Sequence, residues 1–165
     1  MSEFTHFDLE GNAIMVDVGG KHSTDREAVA CGSIFMTKEC YQKVTVGIIK
    51  KGDVCGVARV AGIIGTKKTA ELIPLCHPIS LTKIKIDFEF SDEQNKITAF
   101  CTVKTTGVTG VEMEALTGVS TTLLTIYDMC KAVDKSMVLS DIHLCKKTGG
   151  KSGEFYFKNR KEEKR

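Results

Sequence analysis

Residues 83–90 alternate: Ile84, Ile86, Phe88 and Phe90 are apolar, while Lys83, Lys85, Asp87 and Glu89 are charged. A period of two places the apolar set on one face of a strand and the charges on the other. The polar run 91–96 separates it from a second apolar-rich stretch, 97–103, so the two read as an antiparallel hairpin. Upstream, residues 26–36 form a strand with Val29, Cys31 and Ile34 as apolar positions. Residues 38–50 follow as a helix carrying Cys40, Tyr41, Val44 and Ile48 at helical spacing. A second helix is expected over 54–72, where Val57, Val60, Ala61, Ile64 and Lys68 fall along one stripe. Gly52 and Asp53 stand before it as stop and N-cap, and Pro74 ends it. A long helix, about 112–134, is rich in Leu, Ala, Met and Val. A strand over 138–144 comes next, and Phe155–Phe157 adds an edge.

Strand, helices, strand, strand, helix, strand is the split β-α-β-β-α-β order, which predicts an α+β, ferredoxin-like fold with an antiparallel sheet and an additional helix. At 165 residues and 42% apolar content, the chain matches one domain with its own core. Residues 1–157 are assigned to that single domain. The segment 158–165 has no apolar residue to bury and is expected to be a disordered tail. The 112–134 helix is more apolar than one sheet face requires, which predicts burial against another subunit.

Seven cysteines, an odd number with no CxxC pair, indicate a reduced, intracellular protein. No basic stretch followed by an apolar run opens the chain, and no apolar run approaches a membrane span, so a soluble cytoplasmic location is expected. A net charge of +2 is too small for a dedicated nucleic-acid binder. The basic pairs Lys50-Lys51, Lys67-Lys68 and Lys146-Lys147, with Arg26 and Arg59, ordinarily solvate a surface, yet together they suit a ligand with several phosphates.

Gly149-Gly-Lys-Ser152 resembles the end of a phosphate-cradling P-loop. The glycine that pattern requires is replaced by Cys145, and Gly153-Glu-Phe-Tyr rather than a helix follows, so a P-loop is not expected. A GxGxxG motif is absent. Cys76-His77 has no second Cys/His pair at ligand spacing, so no metal site is expected. The same histidine lies between Pro74 and Pro78, the only prolines in the chain. A stiffened helix-to-strand turn and a positioned phosphate or proton-transfer group are both compatible with that placement. Asp128 and Lys131 share a helix face. A solvated ion pair is the ordinary reading, but Leu123, Leu124, Ile126, Tyr127, Met129 and Cys130 surround them, and desolvation would tune such a pair for acid/base work. Glu112 and Glu114 open the same helix, where acidic residues also offset the helix dipole.

Several blocks extend across nearly the whole chain: Met15-Val-Asp-Val18 with Lys21, Thr24 and Arg26; Lys51-Gly-Asp53; Leu72-Ile-Pro-Leu-Cys-His-Pro78; Thr109-Gly-Val-Glu-Met-Glu-Ala-Leu-Thr117; Thr125–Lys135; and Gly149–Gly153. With these the chain resembles the cyclic pyranopterin monophosphate synthase family, also called the molybdenum cofactor biosynthesis protein C family. The resemblance implies a lyase that converts 3′,8-cyclo-7,8-dihydroguanosine 5′-triphosphate to a cyclic phosphate of a pyranopterin and releases pyrophosphate. It implies Lys51, Asp128 and Lys131 as the acid/base group. Leu75, Cys76, His77, Met113 and Glu114 would be substrate contacts, with Glu112 lining the same site and Arg26, Lys67 and Lys147 on the phosphate side. It further implies a hexamer built from dimers. No tightly bound cofactor is expected, and magnesium is compatible with the triphosphate or pyrophosphate. Gly19-Gly20 departs from the family pattern, in which many members carry larger side chains.

Two other classes compete with this reading. An RNA-recognition domain shares this topology and could use Phe88, Phe90 and Phe100, but the chain lacks the aromatic-rich signature strand. A pterin or nucleotide cyclohydrolase would commonly need a metal. Helix geometry adds one expectation. Glu112 and Asp128 lie about 24 Å apart along a continuous helix and about 160° apart around it. Gly118 alone costs only about 1 kcal/mol in a helix, so continuity is expected, and a site using both residues would lie between two chains.

Overall fold

The computed structural model describes residues 6–8, 10–47 and 52–158. Its elements are β1 (Thr24–Phe35), α1 (Lys38–Thr45), α2 (Val54–Lys67), α3 (Thr69–Leu72), β2 (Lys83–Ser91), β3 (Lys96–Gly107), α4 (Glu112–Cys130), β4 (Val138–Thr148) and β5 (Phe155–Tyr156). The strands form one sheet in the order β2-β3-β1-β4-β5, antiparallel at every pairing. Each crossover, β1 to β2 and β3 to β4, straddles one intervening strand. This is the split arrangement expected, with β5 as an added edge.

The helical layer lies on the face formed by Ala28, Ala30, Gly32 and Ile34 of β1 and Ile97, Ala99, Cys101 and Val103 of β3. Small residues at the centre of that face admit α4 closely. A Cβ at Gly32 would stand 2.8 Å from Leu123 Cδ1, inside any normal contact. Val119, Leu123 and Ile126 of α4 are fully buried there. Phe88 packs against this core, whereas Phe100 is paired opposite Cys31 on the other face, so the phenylalanines do not form one stacking platform.

Element ends differ from the sequence reading for identifiable reasons. Helix α1 stops at Thr45 because Gly47 turns into positive φ; Ile48, placed in that helix, lies outside the described residues. The expected 54–72 helix divides at Lys68, whose N–H bonds to Gly65 O, three residues back. Helix α4 closes at Cys130 rather than 134. Asp134 there turns inward, accepts from Thr37 N at 2.7 Å and Ser136 N at 2.8 Å, and joins the end of α4 to the start of α1. Strand β4 runs on to Thr148 because its backbone keeps pairing with β1 as far as Glu27, where Lys146 also reaches the Glu27 carboxylate at 3.0 Å, partners invisible in the local sequence.

Candidate active site

Two adjoining cavities lie where β1, the β3–α4 connection and the end of β4 meet. The wider, about 860 Å³, is lined by Lys21, Arg26, Lys147 and Lys151 with Glu112 as its carboxylate, together with His22, Thr109, Gly110 and Ser152. It falls within the roughly 300–1,000 Å³ of small-molecule sites, and among the described residues four cations there face one carboxylate, a balance that favours an anionic ligand. The narrower cavity, about 270 Å³, is lined by Leu75, Cys76, His77, Met113 and Glu114, with Val16, Val18 and Ile79. Lys21, Thr109, Gly110 and Glu112 border both, so the two form one groove with a basic half and a mixed apolar and acidic half.

Local folding places each group. Arg26 donates Nε to Gly107 O at 3.0 Å and Nη2 to Val108 O at 3.1 Å, which orients the guanidinium and leaves further donors for a ligand. The Gly149-Gly150 turn closes over it at φ +86° and +77°. A Cβ at Gly149 would collide with Asp25 O, and one at Gly150 with Arg26 Nη1. These glycines are therefore required by close approach. No helix follows them, in line with the absence of a P-loop, yet Gly150, Lys151 and Ser152 still wall the basic cavity. Lys147 hydrogen-bonds to Ser152 Oγ and stands 3.7 Å from Glu112.

Glu114 is the buried acid of the narrow half, 4% exposed. Burial pushes its pKa above the ordinary carboxylate value, with the nearby Glu112 charge adding to the rise. The Cys76 thiol is also pushed up, chiefly by burial and further by the Glu114 charge.

The structure thus gathers Arg26, Leu75, Cys76, His77, Glu112, Met113, Glu114 and Lys147 around one groove. Lys67, exposed in the last turn of α2, lines neither cavity. Lys51 lies outside the described residues. Asp128 and Lys131 stand at the opposite end of α4, which is continuous through Gly118, about 24 Å along the axis from Glu112. They form a 2.6 Å ion pair with side chains 61% and 53% exposed. The expectation that apolar neighbours desolvate this pair is corrected within one chain: Leu123, Ile126, Met129 and Cys130 face the core while the pair faces outward. The hydrogen bond that Lys131 donates to Asp128 raises the lysine pKa, which keeps the ammonium charged. Sequence reasoning passed over His22, Lys151 and Ser152 as site residues. Lys151 and Ser152 stood in a motif set aside as a failed P-loop, and nothing distinguishes His22 in the sequence alone.

A split βαββαβ domain with a cationic groove at one end of its sheet is an α+β protein with a candidate small-molecule site. The chain belongs to the MoaC family, whose model matches residues 15–150. A protein of Clostridium botulinum (strain Alaska E43 / Type E3) named cyclic pyranopterin monophosphate synthase is 60% identical over 154 residues, 93% of this chain and 97% of its own. Proteins of the same name from Natranaerobius thermophilus and Bacillus thuringiensis are 57% and 52% identical, over 93% and 94% of this chain and 97% and 98% of theirs. Among the described residues no helix is long and apolar enough to cross a membrane.

Proposed function

We propose that this chain is a lyase of molybdenum cofactor biosynthesis, converting 3′,8-cyclo-7,8-dihydroguanosine 5′-triphosphate to cyclic pyranopterin monophosphate with release of pyrophosphate. The observation that carries the reading is the groove itself, in a chain 60% identical to a cyclic pyranopterin monophosphate synthase over 93% of its length. Its basic half suits a triphosphate, and its narrow half offers a buried carboxyl, a thiol and an imidazole beside apolar walls.

In this reading the triphosphate lies against Arg26, Lys21, Lys147 and Lys151, and the base-derived rings lie between Leu75–His77 and Met113-Glu114. A sugar hydroxyl attacks the α-phosphorus as the bond to the bridging oxygen breaks. The hydroxyl proton passes to a protein base, and the electron pair leaves on pyrophosphate. Cations around the departing phosphates stabilise that charge where it develops. Ring opening and reclosure need a positioned donor and acceptor, roles assigned to Asp128, Lys131 and Lys51. Because Asp128 and Lys131 lie far from the groove of their own chain, the reading assigns them to the groove of a neighbouring copy, in dimers assembled into a hexamer. In this reading no tightly bound cofactor is required, the phosphates are free to carry magnesium, and the enzyme works in the cytoplasm.

The test is incubation of purified protein with the cyclised nucleotide, followed by mass spectrometry. Pyranopterin monophosphate and pyrophosphate in equal amounts are the expected products. Intact substrate, or a product that keeps all three phosphates, would overturn the reading.

A further inference from the structure

On the sheet face turned away from α4, Cys31, His143 and Cys145 each bring one ligand atom to within 4.8 Å of the others. Sequence spacing gave no metal site because these ligands come from β1 and β4, Cys31 and His143 standing 112 positions apart. Two contacts distinguish the cluster from chance neighbours. The His143 Nε2 lies 3.5 Å from Cys31 Sγ. Its Nδ1 lies 2.6 Å from the Asp141 carbonyl oxygen. A carbonyl only accepts, so Nδ1 donates to it and Nε2 is the nitrogen left to bind a metal; Cys31 Sγ lies beside the ring, 3.8 Å from Nδ1 as well. An imidazole whose second nitrogen donates to a backbone carbonyl is the usual support of a metal-binding histidine.

The backbone is adapted at the same place. Asp141 adopts φ +55°, a left-handed conformation uncommon outside glycine, and from there presents its carbonyl to the ring. The β1–β4 register slips on both sides of the Cys31–His143 pair, between Val29 and Ala30 and between Cys31 and Ser33. The first slip leaves Cys145 without a partner on β1. Bulges of this kind re-aim side chains next to functional sites.

We propose that Cys31, His143 and Cys145 form a binding site for one thiophilic divalent cation of the zinc class, joining β1 to β4. Two thiolates and a neutral imidazole are a fitting donor set, with the fourth tetrahedral position open to water. Bond lengths of about 2.3 Å to sulfur and 2.0–2.1 Å to nitrogen place tetrahedral ligands roughly 3.5–3.8 Å apart. The Cys31–His143 separation already meets that, and the widest pair closes by about 1 Å. Binding releases the two thiol protons to solvent. The ion would fix the strand that continues to Lys147 and the Gly149-Gly150 turn, making the site a brace behind the groove rather than a part of its chemistry.

Full-length protein, stripped with chelator and kept reduced with a phosphine, is titrated with zinc against a chromophoric competitor and separately with cobalt. One equivalent of zinc per chain is expected, and the cobalt form should show thiolate-to-metal charge transfer with a tetrahedral ligand-field spectrum. Cys145→Ser and His143→Gln should each weaken binding by more than the 10–100-fold typical of losing a supporting partner, while Cys55→Ser, outside the cluster, leaves it unchanged. Wild-type protein that takes up no stoichiometric zinc would overturn the proposal without reference to any variant's folding. Binding that persists at wild-type affinity in both cluster variants would overturn it equally, as would a Cys31–Cys145 disulfide in protein isolated without oxidant.

Discussion

Glu114 is nearly sealed from water at the wall of the narrow cavity, and its pKa is raised first by burial and further by the Glu112 charge. The folded state therefore keeps a proton that the unfolded chain has already lost, across the window from the ordinary glutamate value up to the raised one. Stability falls as pH rises through that window and stays reduced above it. Glu114→Gln removes the charge and keeps the shape. Its urea midpoint should exceed the wild type's at pH 7, the difference shrinking toward pH 4, while turnover falls. A lower midpoint at pH 7 would show that the carboxylate is compensated in the folded protein. The sequence placed Glu112 and Glu114 at a helix start and marked both for the site. It did not show that one is buried and the other paired with Lys147, because that depends on the 75–79 segment and the end of β4 meeting the helix from distant parts of the chain.

Helices α2 and α4 cross through small residues. A Cβ at Gly62 would collide with Thr122 Oγ1, and one at Gly118 with Thr66 Oγ1 and, at 2.6 Å, with Cys101 Sγ. Their contact surface is otherwise rich in hydroxyls, each returned to its own helix. Ser120, Thr121, Thr122 and Thr125 donate to the carbonyls four residues back at 2.7–2.8 Å, so a segment rich in β-branched residues stays helical without unsatisfied polar atoms. Gly118→Val should force the helices apart at a cost of about 1–3 kcal/mol. That corresponds to a melting point lower by about 2–4 °C per kcal/mol for a chain of this size, read by calorimetry. An unchanged melting point would mean that the crossing adjusts freely. Apolar periodicity revealed these helices and the β2–β3 hairpin because it reports which face is buried. Their ends were less legible, since Lys68, Asp134 and Lys146 are governed by partners far along the chain.

The exposed ion pair of Asp128 and Lys131 acquires a different meaning for the molecule as a whole. Leu124, one turn earlier on the same face, is 60% exposed, and Val57, Val60 and Ile64 form a parallel exposed stripe on α2. An apolar surface of this kind beside a charged pair suits contact with a second copy. Such a contact would desolvate the pair, restoring the condition the sequence suggested and one chain does not provide. The prediction concerns two variants of low activity, Glu112→Ala and Asp128→Ala, mixed so that subunits exchange. If each groove takes Glu112 from one chain and Asp128 from its neighbour, random pairing creates some grooves with both residues intact, and activity reappears on mixing. If each chain supplies its whole site, every groove in every mixture lacks one of the two, and activity stays at the level of the separate variants. Exchange is followed independently by mass on isotope-labelled subunits, so absence of recovery after confirmed exchange rejects the shared site and leaves the groove chemistry to be explained within one chain.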